Sequence, residues 1–163
     1  MATDWESLTY GIAKLEDVAG LDGLTTLQKS ANGELPYMTI SKQLTFRVVE
    51  VAKGFAAFEG ETGDHLLNPF GTVHGGWVMA LIDSATGYAG HTTLPPNTGF
   101  TTIETKVNMS RPIFPNTGVV RCEAKVVSAG RRIISCEAWA RDSKEKLLAH
   151  GTSTLMVLPL PTA

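Results

Sequence analysis

A carboxylate interrupts a stretch of the sequence that otherwise reads as a buried helix. Asp83 lies within residues 76–90, where the other side chains are apolar on most helical faces. A charged group in such surroundings loses its hydration, which costs several kcal/mol unless it finds a partner or is neutralised. Taken alone, Asp83 is more simply explained as a carboxylate at a polar seam that caps a turn or pairs with an arginine.

The residues that precede this helix favour a chemical role instead. Asn68 and His74 lie six residues apart on a glycine-rich loop, and Gly75-Gly76 opens the helix. The first N–H groups of a helix lack partners and carry partial positive charge, and glycine lets a carbonyl group approach the backbone closely. The pattern therefore predicts an oxyanion site at Gly75, with a carboxylate about two helical turns away.

The spacing along the helix also bears on how such a site could work. Two helical turns span about 11 Å, which is too far for Gly75 and Asp83 of one chain to act on one carbonyl group. Antiparallel packing of this helix in a dimer would bring Gly75 of one subunit near Asp83 of the other. The sequence therefore suggests an active site shared between two subunits.

The surrounding segments predict an α+β fold. A capping pair, Thr3 and Glu6, followed by apolar residues at helical spacing predicts a short amphipathic helix up to about Ala19. Glycine and proline then predict helical turns and loop, so we expect residues 1–43 to form an N-terminal helical arm. One buried helix among antiparallel strands indicates a sheet that wraps the helix. Strands are predicted over residues 44–51, 55–58, 100–109, 119–127, 131–141 and 147–158.

Composition limits the classes of function. A chain of 163 residues suits one domain, and its net charge of -2 argues against a nucleic-acid partner. The N-terminus does not resemble a signal peptide and no apolar stretch is long enough for a bilayer, so we expect a cytoplasmic protein without membrane contact. Cys122 and Cys136 do not form a zinc-binding pattern, so we expect two buried, reduced thiols and no metal.

The motif as a whole resembles a known enzyme family. The chain reads NPFGTVHGG from residue 68 to residue 76, and with Asp83 this segment resembles the phenylacetate-pathway (PaaI-like) hotdog-fold acyl-CoA thioesterases. The resemblance continues at residues 102–112, 130–132 and 148–154. It implies a hotdog domain over residues 44–163, a long central helix wrapped by a curved antiparallel sheet. It also implies a homodimer that assembles into a homotetramer.

The resemblance implies a role for each residue of the motif. In similar enzymes the residue that matches Asp83 acts as general base or nucleophile, and the N–H that matches Gly75 polarises the thioester carbonyl. Asn68 would orient the carbonyl group or the attacking water, and His74 would fix the loop or contact the thioester.

Two positions leave alternatives open. Thr102 matches a serine or threonine that positions the water in related enzymes, although a slip of one residue would put Thr101 there instead. One related branch has glutamate in place of Asp83 and threonine in place of Gly87, so this chain is more similar to the branch with an aspartate base. We favour attack by water over a covalent anhydride, and the sequence does not decide between them.

The implied function is hydrolysis of an aryl- or medium-chain acyl-CoA to the free acid and coenzyme A. Coenzyme A thiolate leaves readily, so a positioned water, a base and an oxyanion donor suffice, and no cofactor is needed. Arg131, Arg132 and Arg111 are candidate partners for the phosphates of coenzyme A. Arginines at strand ends and tight turns are also commonly just solvated.

Three other functions compete with hydrolysis of a thioester. A serine hydrolase would need a G-x-S-x-G turn and repeated βα units, which the sequence lacks. A hotdog hydratase or dehydratase would need a different Asp/His or His/Glu pairing. An acyl-CoA-binding regulatory or accessory protein on the same fold stays open, because fold alone does not imply turnover. The presence of Asp83, Asn68 and Gly75 argues against it.

Overall fold

Six antiparallel strands and one long helix make up the body of the protein. This is a computed structural model in which residues 8–160 are described. The strands are β1 Phe46–Ala52, β2 Phe55–Glu61, β3 Thr98–Met109, β4 Val119–Ala129, β5 Ile133–Asp142 and β6 Leu147–Pro159. They form one sheet in the order β1-β2-β4-β5-β6-β3. A helix over Gly75–His91 packs against all six strands, which confirms the predicted α+β hotdog architecture.

Three short helices precede the sheet. They are α1 Leu15–Val18, α2 Gly23–Ala31 and α3 Thr39–Leu44, so the long helix is α4, and a 3-10 turn covers Asp64–Leu66. The side chain of Asp22 caps α2 by accepting a hydrogen bond from Thr25 N at 2.7 Å. None of the helices in residues 8–160 is long and apolar enough to span a membrane.

Of the helix predicted up to Ala19, only the last turn, α1 Leu15–Val18, is present among the residues that the structure describes. Residues 8–14 contain no helix, and Tyr10 forms a parallel bridge with Tyr37. Leu8, one of the apolar residues that suggested a helical face, lies in this non-helical segment and packs against the core beside Tyr10. Leu15 and Val18, two others, lie in α1. The proposed capping pair, Thr3 and Glu6, lies outside the described residues.

Helix α2 packs on the body near the C-terminal end of α4. Gly23 N donates to Leu94 O at 3.0 Å, and a Cβ atom at Gly23 would collide with the backbone of His91. The Tyr37 hydroxyl accepts a hydrogen bond from Val48 N at 2.7 Å, which ties the arm to β1. The division of the chain at residue 43 into an arm and a domain stays a prediction.

The fit between α4 and the sheet depends on a small residue in β6. A Cβ atom at Gly151 would lie 2.8 Å from Ile82 Cγ2 and 2.9 Å from Lys106 O, so glycine allows the helix to approach the strand. Ile82 is fully buried at this contact. Because this packing fixes the rotation of α4 about its axis, it also sets the direction in which Asp83 points.

An irregularity in the edge strand β3 determines which of its side chains point toward α4. The pairing of β3 with β6 shifts register between Thr102 and Glu104, which makes Ile103 an extra residue in the strand. A bulge of this kind changes the phase of the side-chain alternation. Thr102 and Thr105, three positions apart, are consequently both half-buried, whereas Ile103 and Glu104 between them are exposed. All four residues line the cavity around Asp83.

Candidate active site

The N-terminus of α4 presents an unoccupied hydrogen-bond donor. His74 is the N-cap residue, and its Nδ1 accepts a hydrogen bond from Gly76 N at 2.9 Å. The N–H of Gly75, the first residue of the helix, has no acceptor among the described residues. His74 therefore occupies one of the donors at the positive end of the helix and leaves the Gly75 N–H available to a ligand.

A cavity of about 290 Å³ opens at this helix end. The loop that carries Asn68 and His74 forms one wall, and Met109 at the end of β3 forms another. A Cβ atom at Gly75 would lie 2.6 Å from Met109 Cε and 3.0 Å from Met109 Sδ, so the thioether rests against the Gly75 backbone. Met109 was not predicted from the sequence, because its position depends on the long-range pairing of β3.

Asn68 organises the loop that leads into α4. Its Oδ1 accepts hydrogen bonds from Phe70 N at 2.9 Å and Thr72 N at 3.3 Å, and its Nδ2 donates to Thr72 Oγ1 at 2.8 Å. The two backbone donors fix which end of the amide is oxygen. One Nδ2 proton remains for a ligand, because the amide group carries two. Asn68 thus shapes the cavity and retains one donor that faces no acceptor among the described residues.

Asp83 lies half-buried on α4 in a second cavity, of about 390 Å³. Its Oδ1 accepts a hydrogen bond from Thr105 Oγ1 at 3.1 Å, and no arginine or lysine of residues 8–160 pairs with it. No residue lines both this cavity and the one at Gly75. Within one chain the structure therefore keeps Gly75 and Asp83 apart, as the helix spacing predicts.

The hydroxyl group that bonds Asp83 belongs to Thr105 and was missed in the sequence. Thr102 lines the same cavity without a hydrogen bond to the carboxylate, and Thr101 is exposed and lines neither cavity. Strict alternation along β3 would have put Thr102 and Glu104 on the helix side. Because of the bulge at Ile103, Thr105 rather than Glu104 points toward the helix, and no local sequence pattern predicts that bulge.

The candidate phosphate-binding arginines fall in two separate places. Arg111 lines the Gly75 cavity and donates from Nη1 to Leu147 O at 2.6 Å. Arg131 and Arg132 are exposed at the turn between β4 and β5, and Arg131 lines a third cavity of about 470 Å³. Of the three arginines, only Arg111 lines the same cavity as Gly75 of the same chain.

The titratable groups on α4 with shifted pKa values lie toward the other end of the helix. Burial raises the pKa of Tyr88 to about 12 and lowers the pKa of His91. Neither residue lines the cavity at Gly75 or the one at Asp83. Within the described part of the chain, no three His, Cys, Asp or Glu side chains are grouped as a metal site would require.

The thiols of Cys122 and Cys136 are buried and unpaired on the sheet. Burial raises the pKa of both, that of Cys136 to about 11. A thiol is nucleophilic only as thiolate, so neither cysteine has the properties of a catalytic group.

Sequence comparison finds enzymes that cleave thioesters. The sequence profile of the thioesterase superfamily matches residues 70–149, which include His74, Gly75 and Asp83. A 1,4-dihydroxy-2-naphthoyl-CoA hydrolase of Listeria monocytogenes is 25% identical over 120 residues, 74% of this chain and 96% of that protein.

Solved structures share the fold. A conserved protein of Pseudomonas aeruginosa is 32% identical with a TM-score of 0.69, over 74% of this chain and 94% of that one. A mutant of the phenylacetic acid degradation protein PaaI from Thermus thermophilus is 29% identical with a TM-score of 0.65, over 72% and 96%. A thioesterase of Haemophilus influenzae, 21% identical with a TM-score of 0.70, covers 95% of this chain and 97% of its own. That last likeness, which is one of fold alone, extends over the N-terminal helices.

Proposed function

We propose that this thioester hydrolase, which belongs to the thioesterase superfamily and is of the PaaI-like hotdog type, cleaves aryl- or medium-chain acyl-CoA to the free acid and coenzyme A. The observation that carries the proposal is the Gly75 N–H, which faces a cavity at the positive end of α4 and has no protein acceptor among the described residues. The hydrolase from Listeria monocytogenes, whose name specifies an aryl-CoA substrate, supports the aryl alternative.

The Gly75 N–H would act on the carbonyl oxygen of the thioester. When water adds to the carbonyl carbon, negative charge develops on that oxygen, and a fixed donor stabilises it without reorganisation. Removal of one such donor typically costs about 10²–10³ in rate. The capped geometry of His74 and the close contact with Met109 hold this donor in place.

Asp83 would act as the general base. It takes a proton from the attacking water as the oxygen bonds to the carbonyl carbon, and the tetrahedral intermediate then expels coenzyme A thiolate by breaking the C–S bond. Thr102, which lines the Asp83 cavity, would hold this water, and Asn68 would direct its remaining Nδ2 proton at the carbonyl group. No step needs a metal or redox cofactor.

The two halves of the site would meet across a homodimer, and two such dimers would form the homotetramer that the resemblance implies. Gly75 and Asp83 line separate cavities of one chain, so a second copy is needed to put a donor and a base on one carbonyl group. The rim of the Asp83 cavity includes Met79 and Ile103, large apolar side chains that are 42% and 53% exposed. β3, which carries Ile103, is an edge strand of the sheet, and no strand of residues 8–160 pairs with its outer side.

The phosphates of coenzyme A would be bound by arginine. Arg111 lies beside Gly75 in the same cavity and is therefore the first candidate. Arg131 and Arg132, exposed at the turn between β4 and β5, are further candidates.

The test is release of free thiol from a panel of aryl and aliphatic acyl-CoA esters by the full-length protein. Asp83→Asn removes the base with little change in shape, and we expect turnover to fall by about 10²–10⁴-fold. Asp64→Asn, at an exposed carboxylate of the 3-10 turn, is the matched control and should leave the rate unchanged.

The same experiment separates the enzyme from an acyl-CoA-binding regulatory protein on this fold. Calorimetric titration with a non-hydrolysable acyl-CoA thioether measures binding alone. Binding without turnover of any ester in the panel would contradict the proposal and support the binding protein. Turnover that survives Asp83→Asn would leave a hydrolase but remove Asp83 from its chemistry.

A further inference from the structure

A row of three hydroxyl groups leads from the interior of the protein to Asp83. Thr105 Oγ1 donates to Asp83 Oδ1 at 3.1 Å and lies 3.0 Å from Ser153 Oγ, which in turn lies 2.8 Å from Thr86 Oγ1. Ser153 on β6 is 2% exposed and Thr86 on α4 is 0% exposed. The row therefore begins where solvent is excluded and ends at the half-buried carboxylate.

The directions of the hydrogen bonds in this row follow if one proton lies between each pair of hydroxyl groups. Each hydroxyl group carries one proton, and a carboxylate can only accept, so the Thr105 proton points at Asp83. In the arrangement that bridges both contacts between hydroxyl groups, Thr105 accepts from Ser153 and Ser153 accepts from Thr86. Thr86 Oγ1 also lies 2.9 Å from Ile82 O and 3.0 Å from Asp83 O. If its single proton went to either carbonyl, Ser153 would donate to Thr86 and no proton would lie between Ser153 and Thr105.

We propose that Thr105, Ser153 and Thr86 are positioning residues that fix the orientation of the Asp83 carboxylate and favour its charged form. The proposal rests on the role given to Asp83 under the proposed function. Donors aimed at a carboxylate stabilise its charged state, and hydrogen bonds to an ionised group are stronger than those between neutral groups. In a head-to-tail row each bond polarises the next, so the buried hydroxyls act on Asp83 through Thr105.

The orientation leaves one carboxylate oxygen for chemistry. Oδ1 is held by Thr105, and no described residue donates to Oδ2. A base that takes a proton from water needs one oxygen within reach of that water, and fixing the other removes the freedom of the carboxylate to rotate away. The alternative is a purely structural row, in which the buried hydroxyls satisfy one another and Asp83 gains nothing from them.

The pH dependence of kcat/KM distinguishes these roles. Thr105→Val replaces the hydroxyl group by a methyl group of similar shape. We expect it to lower kcat by about tenfold with KM little changed, and to move the acid limb of the profile to higher pH. Thr105→Ser keeps a donor and should retain the wild-type limb. A Thr105→Val profile that coincides with the wild-type profile would overturn the inference.

Thr154→Val provides a matched control that removes another bond from a hydroxyl group to a carboxylate between β6 and β3. Thr154 Oγ1 donates to Glu104 Oε2 at 3.1 Å, the length of the bond from Thr105 to Asp83, and it also links β6 to β3. Its loss disturbs the strand pair equally and frees Glu104, a second carboxylate that lines the Asp83 cavity, but leaves the row intact, so the acid limb should stay in place. Movement of the limb in Thr154→Val as large as in Thr105→Val would show that the strand pair or Glu104, rather than the row, moves it, and would overturn the inference.

A double-mutant cycle tests whether Ser153 acts through Thr105. Ser153→Ala should move the acid limb in the same direction as Thr105→Val, and should add nothing when Thr105 is already valine. Equal effects of Ser153→Ala in both backgrounds would overturn the row as a connected unit.

Neutron diffraction from deuterium-exchanged crystals of the wild-type protein at neutral pH tests the directions without reference to activity. We expect the Ser153 deuteron on the line to Thr105 and the Thr86 deuteron on the line to Ser153. A Ser153 deuteron directed at Thr86 would overturn the inference. A protein that is inactive on every acyl-CoA ester would refute the proposed function, whereas these deuteron positions would still decide the geometry of the row.

Discussion

The thioether of Met109 rests against the backbone of Gly75 so closely that a side chain at Gly75 would have to displace it. A Cβ atom there would lie 2.6 Å from Met109 Cε, closer than carbon atoms approach without a shift of one of them. Met109 is 52% exposed and flexible, so the displacement would be local. Glycine at the first position of α4 therefore has two effects, because it admits a carbonyl group to the N–H and makes room for Met109.

Gly75→Ala should lower kcat/KM by about 10²-fold, because a methyl group would block the approach of a carbonyl group to the N–H donor. The midpoint of thermal unfolding should change little, because Met109 lies at the surface and can move aside. Thiol release and thermal unfolding, measured on the same preparation, check both parts.

The variant Gly75→Ala with Met109→Ala separates the two effects. Met109→Ala removes the collision and leaves the methyl group at residue 75. A double variant with the same low kcat/KM as Gly75→Ala alone would place the defect at the N–H donor, as we expect. Recovery to the level of Met109→Ala alone would show that the displaced thioether caused the loss.

Asn68→Asp and Asn68→Ala should have graded effects on activity. Aspartate keeps the oxygen that accepts from Phe70 N and Thr72 N, and it loses the Nδ2 donors to Thr72 and to a ligand. Alanine loses the acceptor oxygen as well as the Nδ2 donors, so the loop before α4 also loses the hydrogen bonds that hold it together. We expect a moderate loss of kcat in Asn68→Asp and a larger loss with faster amide exchange at residues 70–72 in Asn68→Ala. Equal exchange rates in the two variants would contradict the role of Asn68 in the loop.

The parts of the site that depend on local sequence were predictable. A glycine-rich loop followed by an apolar helical stretch predicted the start of α4, which the structure places at Gly75. The same reasoning placed Asn68 and His74 before the helix, and the structure puts both on one cavity with Gly75. These residues lie within a few positions of one another, so helix geometry and turn chemistry suffice to bring them together.

The parts that depend on distant pairing were not predictable. Thr105 reaches Asp83 only because a bulge at Ile103 changes the alternation of side chains along β3. A bulge of this kind has no periodic signature in the sequence. Helical periodicity near the N-terminus was misleading for residues 8–14, since Tyr10 is held in an extended segment by its bridge to Tyr37. In both cases contacts with residues far along the chain outweigh the local pattern.

Removal of divalent metals should leave thiol release unchanged. The proposed chemistry needs only Asp83, a water molecule and the Gly75 N–H, and none of its steps uses a metal ion. Incubation with EDTA followed by gel filtration into metal-free buffer should therefore give the same kcat as the untreated protein. Loss of activity that returns on addition of one divalent cation would contradict the mechanism.

His91 should make the protein less stable as the pH falls below about 6.5. Burial lowers the pKa of this imidazole in the folded state, so the unfolded chain binds more protons in the window between the folded-state value and the ordinary value. The free energy of unfolding therefore falls as the pH drops through this window. Above the window His91 is neutral in both the folded and the unfolded state, so the full stability is present there. His91→Gln removes the titration, so urea unfolding at pH 7.5 and pH 5, at one protein concentration, should show a smaller loss for the variant. Equal losses in the two proteins would contradict a depressed pKa at His91.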